Sequence, residues 1–382
     1  MPNILHIITG LGLGGAETVL ASLLLNRHLS GFRSSVISLL DEGHFGPILS
    51  AQGIPVTCLR VSRRWPSLFS LVRLRKAIQG ASPDLIHCWM YHPALVHGLV
   101  SGFLPPKPVV WGIHHTTTEK GSVGKRTASV IHAVQMLSKV VPSRIVCCSH
   151  ATLQDHASLG FPQSRLSVIL NGVDPAVFKR NNEARARVRA ALGLPPDAFV
   201  VGNIGRYDPL KDQSNFIQAA ALAYAQRPSL RFVMCGLGVD DANPVLAEEV
   251  SSAGLRPNIQ MLGLRRDIPD ILNALDAFVL SSSSEALPVA LLEAQSVGVI
   301  GIATDVGDSK FVIDDDSRIV PPRRPDLLAA AILRVAVAPE EQRIAMAQAG
   351  VRRVAEHYSV DQMSRLYASL YTELIEAPKR QS

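Results

Sequence analysis

The sequence has no uninterrupted apolar run long enough to cross a membrane. The most apolar windows, such as residues 93–113, are interrupted; this one is broken by His97, Pro105, Pro106 and Lys107, whereas a spanning helix needs roughly 20 consecutive apolar residues. There is also no basic segment followed by an apolar segment and a cleavage site before the first predicted strand. We therefore expect a cytoplasmic protein without a membrane-spanning helix.

Cysteine and charge are both sparse. The five cysteines form no C-x-x-C pair and leave one over, which favours a reducing compartment over a disulfide framework. Charged residues make up 18% of the chain and hydrophobic residues 47%, as is typical of a well-buried globular protein. A length of 382 residues is too great for one ordinary core and predicts two domains.

Positive charge is concentrated in the first half. Residues 1–170 carry 15 Lys and Arg against 6 Asp and Glu, whereas the remainder carries 23 against 26. In residues 59–79 six cations are interleaved with apolar side chains and Trp65; they are Arg60, Arg63, Arg64, Arg73, Arg75 and Lys76. Such a segment suits an anionic membrane surface, and equally a solvated helix with a buried apolar stripe. No nucleic-acid-binding motif accompanies the charge, so we expect no nucleic-acid partner.

Short β-branched segments alternate with helix-length segments along the whole chain, which predicts parallel sheets with crossover helices. The first set of predicted strands spans residues 4–8, 35–39, 56–59, 85–88, 109–113, 144–148 and 167–170. The second set spans residues 199–204, 230–235, 259–262, 277–281, 299–303 and 318–320. We predict an α/β fold of two doubly wound, Rossmann-like domains, residues 1–170 and 171–358, facing across a cleft that is the default ligand site.

A glycine-rich loop follows the first predicted strand. In HIITGLGLGGAE, residues 6–17, the glycines Gly10, Gly12 and Gly15 satisfy the spacing G-x-G-x-x-G, which is typical of loops that bind a dinucleotide. Asp41, at the end of the second strand, is close to where such proteins place a ribose-binding acid. The first half by itself therefore leaves NAD binding open.

The loop GRYDPLKD, residues 205–212, follows the first strand of the second half. Arg206 and Lys211 lie five residues apart in it, so both can face one anion, and an arginine can bind phosphate in bidentate fashion. The alternative to an anion site is a surface loop in which both charges are solvated.

The segment SSSSEALPVALLEAQSVG, residues 281–298, predicts a second anion site. Pro288 suits the first turn of a helix, and the amides around 287–290 would point out of its N-terminus. Glu285 before this helix, and Glu293 about two turns into it, can reach opposite ends of one bound molecule. Because a carboxylate accepts two hydrogen bonds from neighbouring hydroxyls, each glutamate suits a sugar or a ribose.

These segments, in this order, resemble glycosyltransferase family 4, the retaining nucleotide-sugar transferases of two-domain GT-B architecture. The resemblance rests on the glycine loop, on NGVD at 171–174, GRYDPLKD at 205–212, MLGLRRDIPDILNALDAFVLSS at 261–282, the two glutamates Glu285 and Glu293, and ATDVGD at 303–308. It is strongest to bacterial enzymes of cell-surface polysaccharide biosynthesis, which make lipopolysaccharide and exopolysaccharide. It implies hexosyl transfer from a nucleotide-sugar, most often a UDP-sugar, and a final helix in 359–382 that crosses back to the first domain.

The resemblance also implies roles for individual residues. Arg206 and Lys211 would bind the donor diphosphate, Glu285 the donor sugar and Glu293 the ribose. His114, with His115 as the alternative, would lie near the reacting sugar. The implied catalytic set is His114, Arg206, Lys211 and Glu285, and the implied donor-binding set adds Gly14, Gly15, Ala286, Leu287, Pro288, Val289 and Glu293.

The chain departs from the family pattern after the first glutamate. Val289 stands where an asparagine is common, and Lys310 lies near a position that often holds a glutamate. Because of these departures, a catalytically weak protein that serves as a scaffold is an alternative function. A nucleotide-sugar epimerase or an NAD-binding enzyme is a further alternative.

No D-x-D sequence stands in a metal-site context, and DDD at 314–316 predicts a turn. We therefore expect metal-independent catalysis with no cofactor, and retention by front-face attack. A basic, Trp-containing first domain suits a polyprenyl-diphosphate-linked or other glycan acceptor, reached peripherally at the inner membrane surface.

Overall fold

The computed structural model describes residues 1–61, 67–115 and 124–377. The chain divides into two compact units, one formed by Met1–Gly172 together with the segment that begins at Val360, the other by Val173–Ser359. Arg63, Arg64 and Trp65 of the basic, apolar segment lie outside the described residues.

The first unit is built on seven parallel strands in the order β3-β2-β1-β4-β5-β6-β7. They are β1 (Asn3–Ile8), β2 (Arg33–Ser38), β3 (Val56–Cys58), β4 (Leu85–Trp89), β5 (Val109–Ile113), β6 (Arg144–Cys147) and β7 (Leu166–Val168). The helices along the same stretch are α1 (Gly15–Leu24), α2 (Phe45–Ala51), α3 (Leu68–Ala81), α4 (Tyr91–Ser101), α5 (Lys125–Leu137) and α6 (His150–Ser158). Strands β4 and β5 are buried along their whole length, because crossover helices cover both faces of a parallel sheet.

The second unit repeats this plan with six parallel strands in the order β10-β9-β8-β11-β12-β13. They are β8 (Val200–Ile204), β9 (Arg231–Cys235), β10 (Ile259–Met261), β11 (Ala277–Leu280), β12 (Ile300–Thr304) and β13 (Ile319–Val320). The helices are α7 (Asn182–Ala191), α8 (Gln213–Gln226), α9 (Pro244–Ser252), α10 (Ile268–Ala274), α11 (Val289–Ser296), α12 (Ser309–Ile313), α13 (Pro325–Val337) and α14 (Glu340–His357). The strand order reverses between β8 and β11, and open α/β sheets bind ligands outside the carboxyl ends of the strands at such a switch point.

The last helix, α15 (Val360–Glu376), belongs to the first unit. It buries Met363, Tyr367 and Tyr371 in a core shared with β1 and α1. The Tyr371 hydroxyl also hydrogen-bonds Nδ1 of His87, on β4, at 2.8 Å. The apolar residues recur at intervals of three and four, which places them on one face of the helix.

All thirteen predicted strands are present, and their ends shift by no more than two residues. The prediction of two doubly wound parallel α/β sheets is confirmed. Within the described ranges, no helix is long and apolar enough to span a bilayer.

Candidate active site

Two loops of the second unit meet beside the switch point of its sheet. Residues 205–212 follow β8 and residues 281–288 follow β11. The Ser283 amide donates to the Leu210 carbonyl at 2.8 Å, and the Ser281 hydroxyl donates to the Lys211 carbonyl at 2.9 Å. These bonds hold the backbones of the two loops together independently of their charged side chains.

Lys211 and Glu285 form an ion pair across these loops. The Lys211 Nζ donates to Oε1 of Glu285 at 2.6 Å, and the Ser282 hydroxyl donates to the same oxygen at 2.7 Å. The Lys211 side chain is 30% exposed and that of Glu285 is 11% exposed, so the pair is largely shielded but remains reachable from solvent. Both residues were predicted; Ser282 was not, although it belongs to the serine run that precedes Glu285.

Arg206 lies at the start of the first loop with its side chain 67% exposed. Its Nε and one terminal nitrogen donate to Oδ2 of Asp208 at 3.1 Å and 2.8 Å. Burial alone would raise the pKa of Asp208, but the Leu210 amide and the Arg206 guanidinium stabilise its carboxylate and hold the pKa below its usual value. Arg206 and Lys211 therefore hold two different carboxylates in this structure, and a shared anion would have to draw Arg206 away from Asp208.

Two glycines allow the backbone to pack closely around these loops. A Cβ at Gly307, whose φ is +53°, would lie 2.5 Å from the carbonyl oxygens of Glu285 and Ala286. A Cβ at Gly236 would lie 2.0 Å from the carbonyl oxygen of Gly205. No larger residue fits either position without displacing a loop that carries a candidate ligand. In the sequence, Gly307 was marked only by its place in the family motif ATDVGD, which ends at residue 308.

Helix α11 begins directly after the second loop. Pro288 is its N-cap and Val289 its first residue, so Pro288 directly precedes the first turn, in which the sequence placed it. The amides of Leu291 and Leu292 donate to the Pro288 carbonyl at 3.0 Å and 3.3 Å. The earlier amides, including those of Val289 and Ala290, have no acceptor within the helix, and this end carries the positive pole of the helix dipole.

Glu293 is the fifth residue of α11, little more than one turn from its start rather than two. The residue as a whole is half-buried, and burial of its carboxyl group raises the pKa from 4.5 to about 7. Within the described residues it has no cation beside it, so burial is not offset by an ion pair. Whether protonated or ionised, the Glu293 carboxyl can accept hydrogen bonds from two neighbouring hydroxyls of a sugar.

The predicted residues of the first unit lie at the carboxyl ends of its strands. Gly14 caps α1 and Gly15 is its first residue. A Cβ at Gly43, whose φ is +46°, would lie within 2.6 Å of the backbone of Leu11 and Gly12. The glycine loop therefore packs tightly against the segment after β2, with the N-terminus of α1 beside it. The role of Gly14 and Gly15 at a donor remains a prediction.

His114 directly follows β5 and is stacked on Trp89, with ring centroids 5.1 Å apart and an interplanar angle of 13°. Burial lowers its pKa to about 4, although the Asn171 side chain works in the opposite direction. The pKa of the half-buried His115 is lowered as well, by burial. A neutral imidazole offers one donor and one acceptor, which suits recognition of a hydroxyl rather than of a phosphate. Trp89 was not predicted to have a part in the site.

No group of His, Cys, Asp or Glu side chains that could hold a metal ion is found in the described part of the chain. Asp314 ends α12 and Asp316 begins a short 3-10 turn, so the DDD segment forms the turn that its sequence suggested.

Two family models match the chain. "Glycosyltransferase Family 4" matches residues 13–177, and "Glycosyl transferases group 1" matches residues 184–353. The two matches follow one another along the chain and correspond to its two sheets. The two family matches, together with the two parallel α/β units, define the class of the protein as a GT-B glycosyltransferase. The chain belongs to the bacterial family 4 type of these enzymes.

Individual relatives agree with the family matches. The chain is 27% identical over 271 residues to the Escherichia coli UDP-Gal:alpha-D-GlcNAc-diphosphoundecaprenol alpha-1,3-galactosyltransferase, covering 69% of this chain and 68% of the relative. It is 30% identical over 217 residues to the lipopolysaccharide core biosynthesis mannosyltransferase LpsB of Rhizobium meliloti (strain 1021), and this match covers 55% of this chain and 61% of LpsB. Among solved structures, Anabaena HepE in complex with UDP superposes with a TM-score of 0.84 at 23% identity, covering 98% of this chain and 100% of HepE. These matches favour a glycosyltransferase over the NAD-binding and epimerase alternatives.

Proposed function

We propose that this protein is a retaining, metal-independent glycosyltransferase that moves a hexosyl group from a UDP-sugar to a polyprenyl-diphosphate-linked glycan. The observation that carries the proposal is the meeting of Lys211 and Glu285 at the carboxyl ends of neighbouring strands, beside Arg206 and the start of α11. A diphosphate joined to a sugar needs cations and amide groups for its phosphates and a carboxylate for its hydroxyls, and these two loops and the start of α11 carry groups of each kind.

Two relatives support the choice of donor and acceptor. The name of the E. coli relative states UDP-Gal as donor and a diphosphoundecaprenol-linked sugar as acceptor, and HepE also forms a complex with UDP-glucose. The LpsB relative is named for lipopolysaccharide core biosynthesis. We infer the same kind of donor and acceptor for this chain, in cell-surface polysaccharide biosynthesis.

Transfer breaks the bond between sugar C1 and the diphosphate oxygen, so negative charge grows on the leaving group. Arg206, Lys211 and the first amides of α11 would stabilise that charge, since preorganised cations and dipoles lower such barriers. Glu285 would orient the sugar, Glu293 would accept hydrogen bonds from the ribose, and His114 would donate to or accept from a sugar hydroxyl.

The state of the two glutamates bears on how retention would be achieved, because it disfavours a covalent sugar–enzyme intermediate. Glu285 is engaged by Lys211 and Ser282, and burial keeps Glu293 partly protonated near neutral pH, so neither is a good nucleophile. We propose front-face attack: the acceptor oxygen bonds to C1 on the side that the diphosphate leaves, and the departing phosphate oxygen takes the acceptor proton.

The first test is a donor screen. Thermal shift and hydrolysis are measured with UDP-, GDP-, ADP- and dTDP-sugars, with NAD and NADP as controls, on wild type and on Arg206→Ala. We expect a shift with a UDP-sugar that is lost in Arg206→Ala, and transfer that persists in EDTA. A shift with NAD alone, or an inverted product anomer by NMR, would contradict the proposal.

A further inference from the structure

A cavity of about 980 Å³ lies wholly within the second unit. Its lining includes Phe199, Asp276 and Gly298, which precede β8, β11 and β12. Arg206 and Glu285, in contrast, follow the carboxyl ends of β8 and β11. The cavity, called here the amino-end cavity, therefore lies at the sheet edge opposite the candidate active site, since the strands are parallel.

Cations outnumber carboxylates in the amino-end cavity. Seven cationic side chains line it, Lys179, Arg180, Arg185, Arg189, Arg227, Arg343 and Arg352, against Asp197, Asp276 and Glu340. A concave surface with excess charge of one sign concentrates its field and attracts ligands of the opposite sign.

Part of this charge has a structural role. Arg185 and Arg189 each donate to Asp276 at 2.6 Å. Arg189 is 5% exposed and also donates to the carbonyls that surround it. One carboxylate is thus shared by two guanidinium groups, so these three residues together leave one positive charge uncompensated at the cavity wall.

The other five cations of the cavity form no ion pair within the described residues. Within the described residues, Lys179, Arg343 and Arg352 have no ion-pair partner, and Arg180 hydrogen-bonds the neutral Asn182 side chain at 3.2 Å. Burial lowers the pKa of Arg180, and repulsion from Arg185 and Arg189 lowers it further against the attraction of Asp276. The potential around Arg180 is therefore positive even with Asp276 in place.

The rest of the wall is apolar and can hold an uncharged group. Phe199, Val297 and Val351 contribute to it, and the Arg343 guanidinium lies over the Phe199 ring at 5.7 Å. A volume near 980 Å³ is within the range of small-molecule sites, which are mostly apolar with a few polar groups.

We propose that the amino-end cavity is a second, non-catalytic site that binds an organic phosphate with at least two negative charges. Arg180, Arg343 and Arg352 hold the phosphates, because guanidinium groups bind phosphate oxygens in bidentate fashion. Ile344 and Val351, which are exposed apolar residues of the lining, contact the uncharged body of the ligand. The site is independent of the proposed transfer reaction, which uses the other edge of the sheet.

The test is calorimetric titration of the full chain with ADP and with inorganic pyrophosphate at low salt. The Arg206→Ala background weakens phosphate binding at the candidate active site. In this background we expect ADP to bind. Adding either Arg343→Gln or Arg352→Gln should weaken ADP binding about tenfold or more, as expected for loss of a charge-assisted hydrogen bond. Arg324→Gln is the matched control, because Arg324 is an exposed arginine of the same unit that pairs with Asp326 outside the cavity; its effect should stay within about twofold.

Hydrogen exchange and the comparison of ADP with pyrophosphate are the two further measurements that test the proposal. ADP should protect backbone amides from hydrogen exchange in residues 178–189 and 340–355, and it should bind about tenfold tighter than pyrophosphate because of its apolar contacts. The proposal is overturned if ADP fails to bind the Arg206→Ala protein, or if Arg343→Gln and Arg352→Gln bind it as tightly as their background. If pyrophosphate binds as tightly as ADP, the apolar residues of the cavity do not contact the ligand, and that part of the proposal is wrong. Circular dichroism of each variant separates loss of binding from loss of folding.

Discussion

Nζ of Lys211 lies 2.6 Å from Oε1 of Glu285, although 74 residues separate them in the chain. The contact exists because β8 and β11 are neighbours in the sheet while their order along the chain is interrupted by β9 and β10. It joins the residue expected to bind the diphosphate to the residue expected to bind the sugar. In the absence of donor each therefore balances the charge of the other.

Lys211 and Glu285 should behave as one unit in catalysis. Lys211→Ala should lower kcat about a hundredfold or more, because it removes a cation from the leaving group. The double variant Lys211→Ala, Glu285→Gln should lose less than the product of the two single losses, since each single change also breaks the contact that the two residues share. Steady-state kinetics on the four proteins measure this, with Arg324→Gln as a control of unchanged rate. Fully additive losses would show that the two residues act separately.

Asp208 should compete with the donor for Arg206. Arg206→Ala should weaken UDP binding about tenfold or more, through loss of a charged hydrogen-bonding partner. Asp208→Asn should instead tighten UDP binding, because the amide can still accept from the Leu210 amide but no longer neutralises Arg206. Titration calorimetry with UDP compares the variants, and weaker binding by Asp208→Asn would contradict this account.

The Glu293 carboxyl should make stability depend on pH. Its pKa of about 7 lies above the ordinary 4.5, so the folded protein holds this proton more tightly than the unfolded chain. Stability is therefore lost as pH rises from about 4.5 through 7, by at most about 3 kcal/mol. Glu293→Gln removes the titrating group without changing its shape.

We expect the Tm of Glu293→Gln to exceed that of wild type at pH 8 and to match it at about pH 4. Calorimetric scans at the two pH values measure this, and an equal difference at both would show that burial of the charge is not the cause. The same variant should bind UDP more weakly, because an amide accepts fewer hydrogen bonds from a ribose than a carboxylate does.

Gly307 should tolerate no side chain. Gly307→Ala places a Cβ against two carbonyl oxygens as well as straining a positive φ, and should cost about 2–4 kcal/mol. Gly254→Ala is the control, because Gly254 has φ +67° but open space around its Cβ, and should cost only about 1 kcal/mol. Thermal unfolding compares the two. Equal losses would mean that the backbone of residues 285 and 286 moves aside freely.

Helix α3 should bind anionic membranes through its exposed apolar residues. Leu68 and Phe69 are 80% and 71% exposed, and Arg73, Arg75 and Lys76 lie on the same helix, a combination that suits an anionic lipid surface. Leu68→Ser with Phe69→Ser should reduce co-sedimentation with phosphatidylglycerol vesicles several-fold at low salt. Val140→Ser, which removes another exposed apolar side chain of the first unit, should leave it unchanged. Equal sedimentation of all three proteins would remove the support for membrane contact.

Much of the fold and part of the site could be predicted because they depend on local pattern. Runs of β-branched residues predict strands, and turn residues after a strand mark ligand loops; Lys211 and Glu285 were found in this way. Asp208 was not recognised as the partner of Arg206, although both belong to GRYDPLKD. Trp89 was also missed, since nothing local to β4 indicates that its ring stacks on His114.

By itself the sequence determined the parallel α/β class, the thirteen strands and the loops that carry charge, because each of these follows from periodicity and spacing within a short stretch of chain. The family was indicated by the resemblance of its ordered motifs. Only the tertiary structure decided which charges meet. Strand order joins Lys211 to Glu285. Burial raises the pKa of Glu293, and the packing of helices against the second sheet gathers arginines from residues 180, 189, 343 and 352 around one cavity. Such contacts depend on which distant segments become neighbours in the sheet, and burial then decides how strongly the charges act on one another.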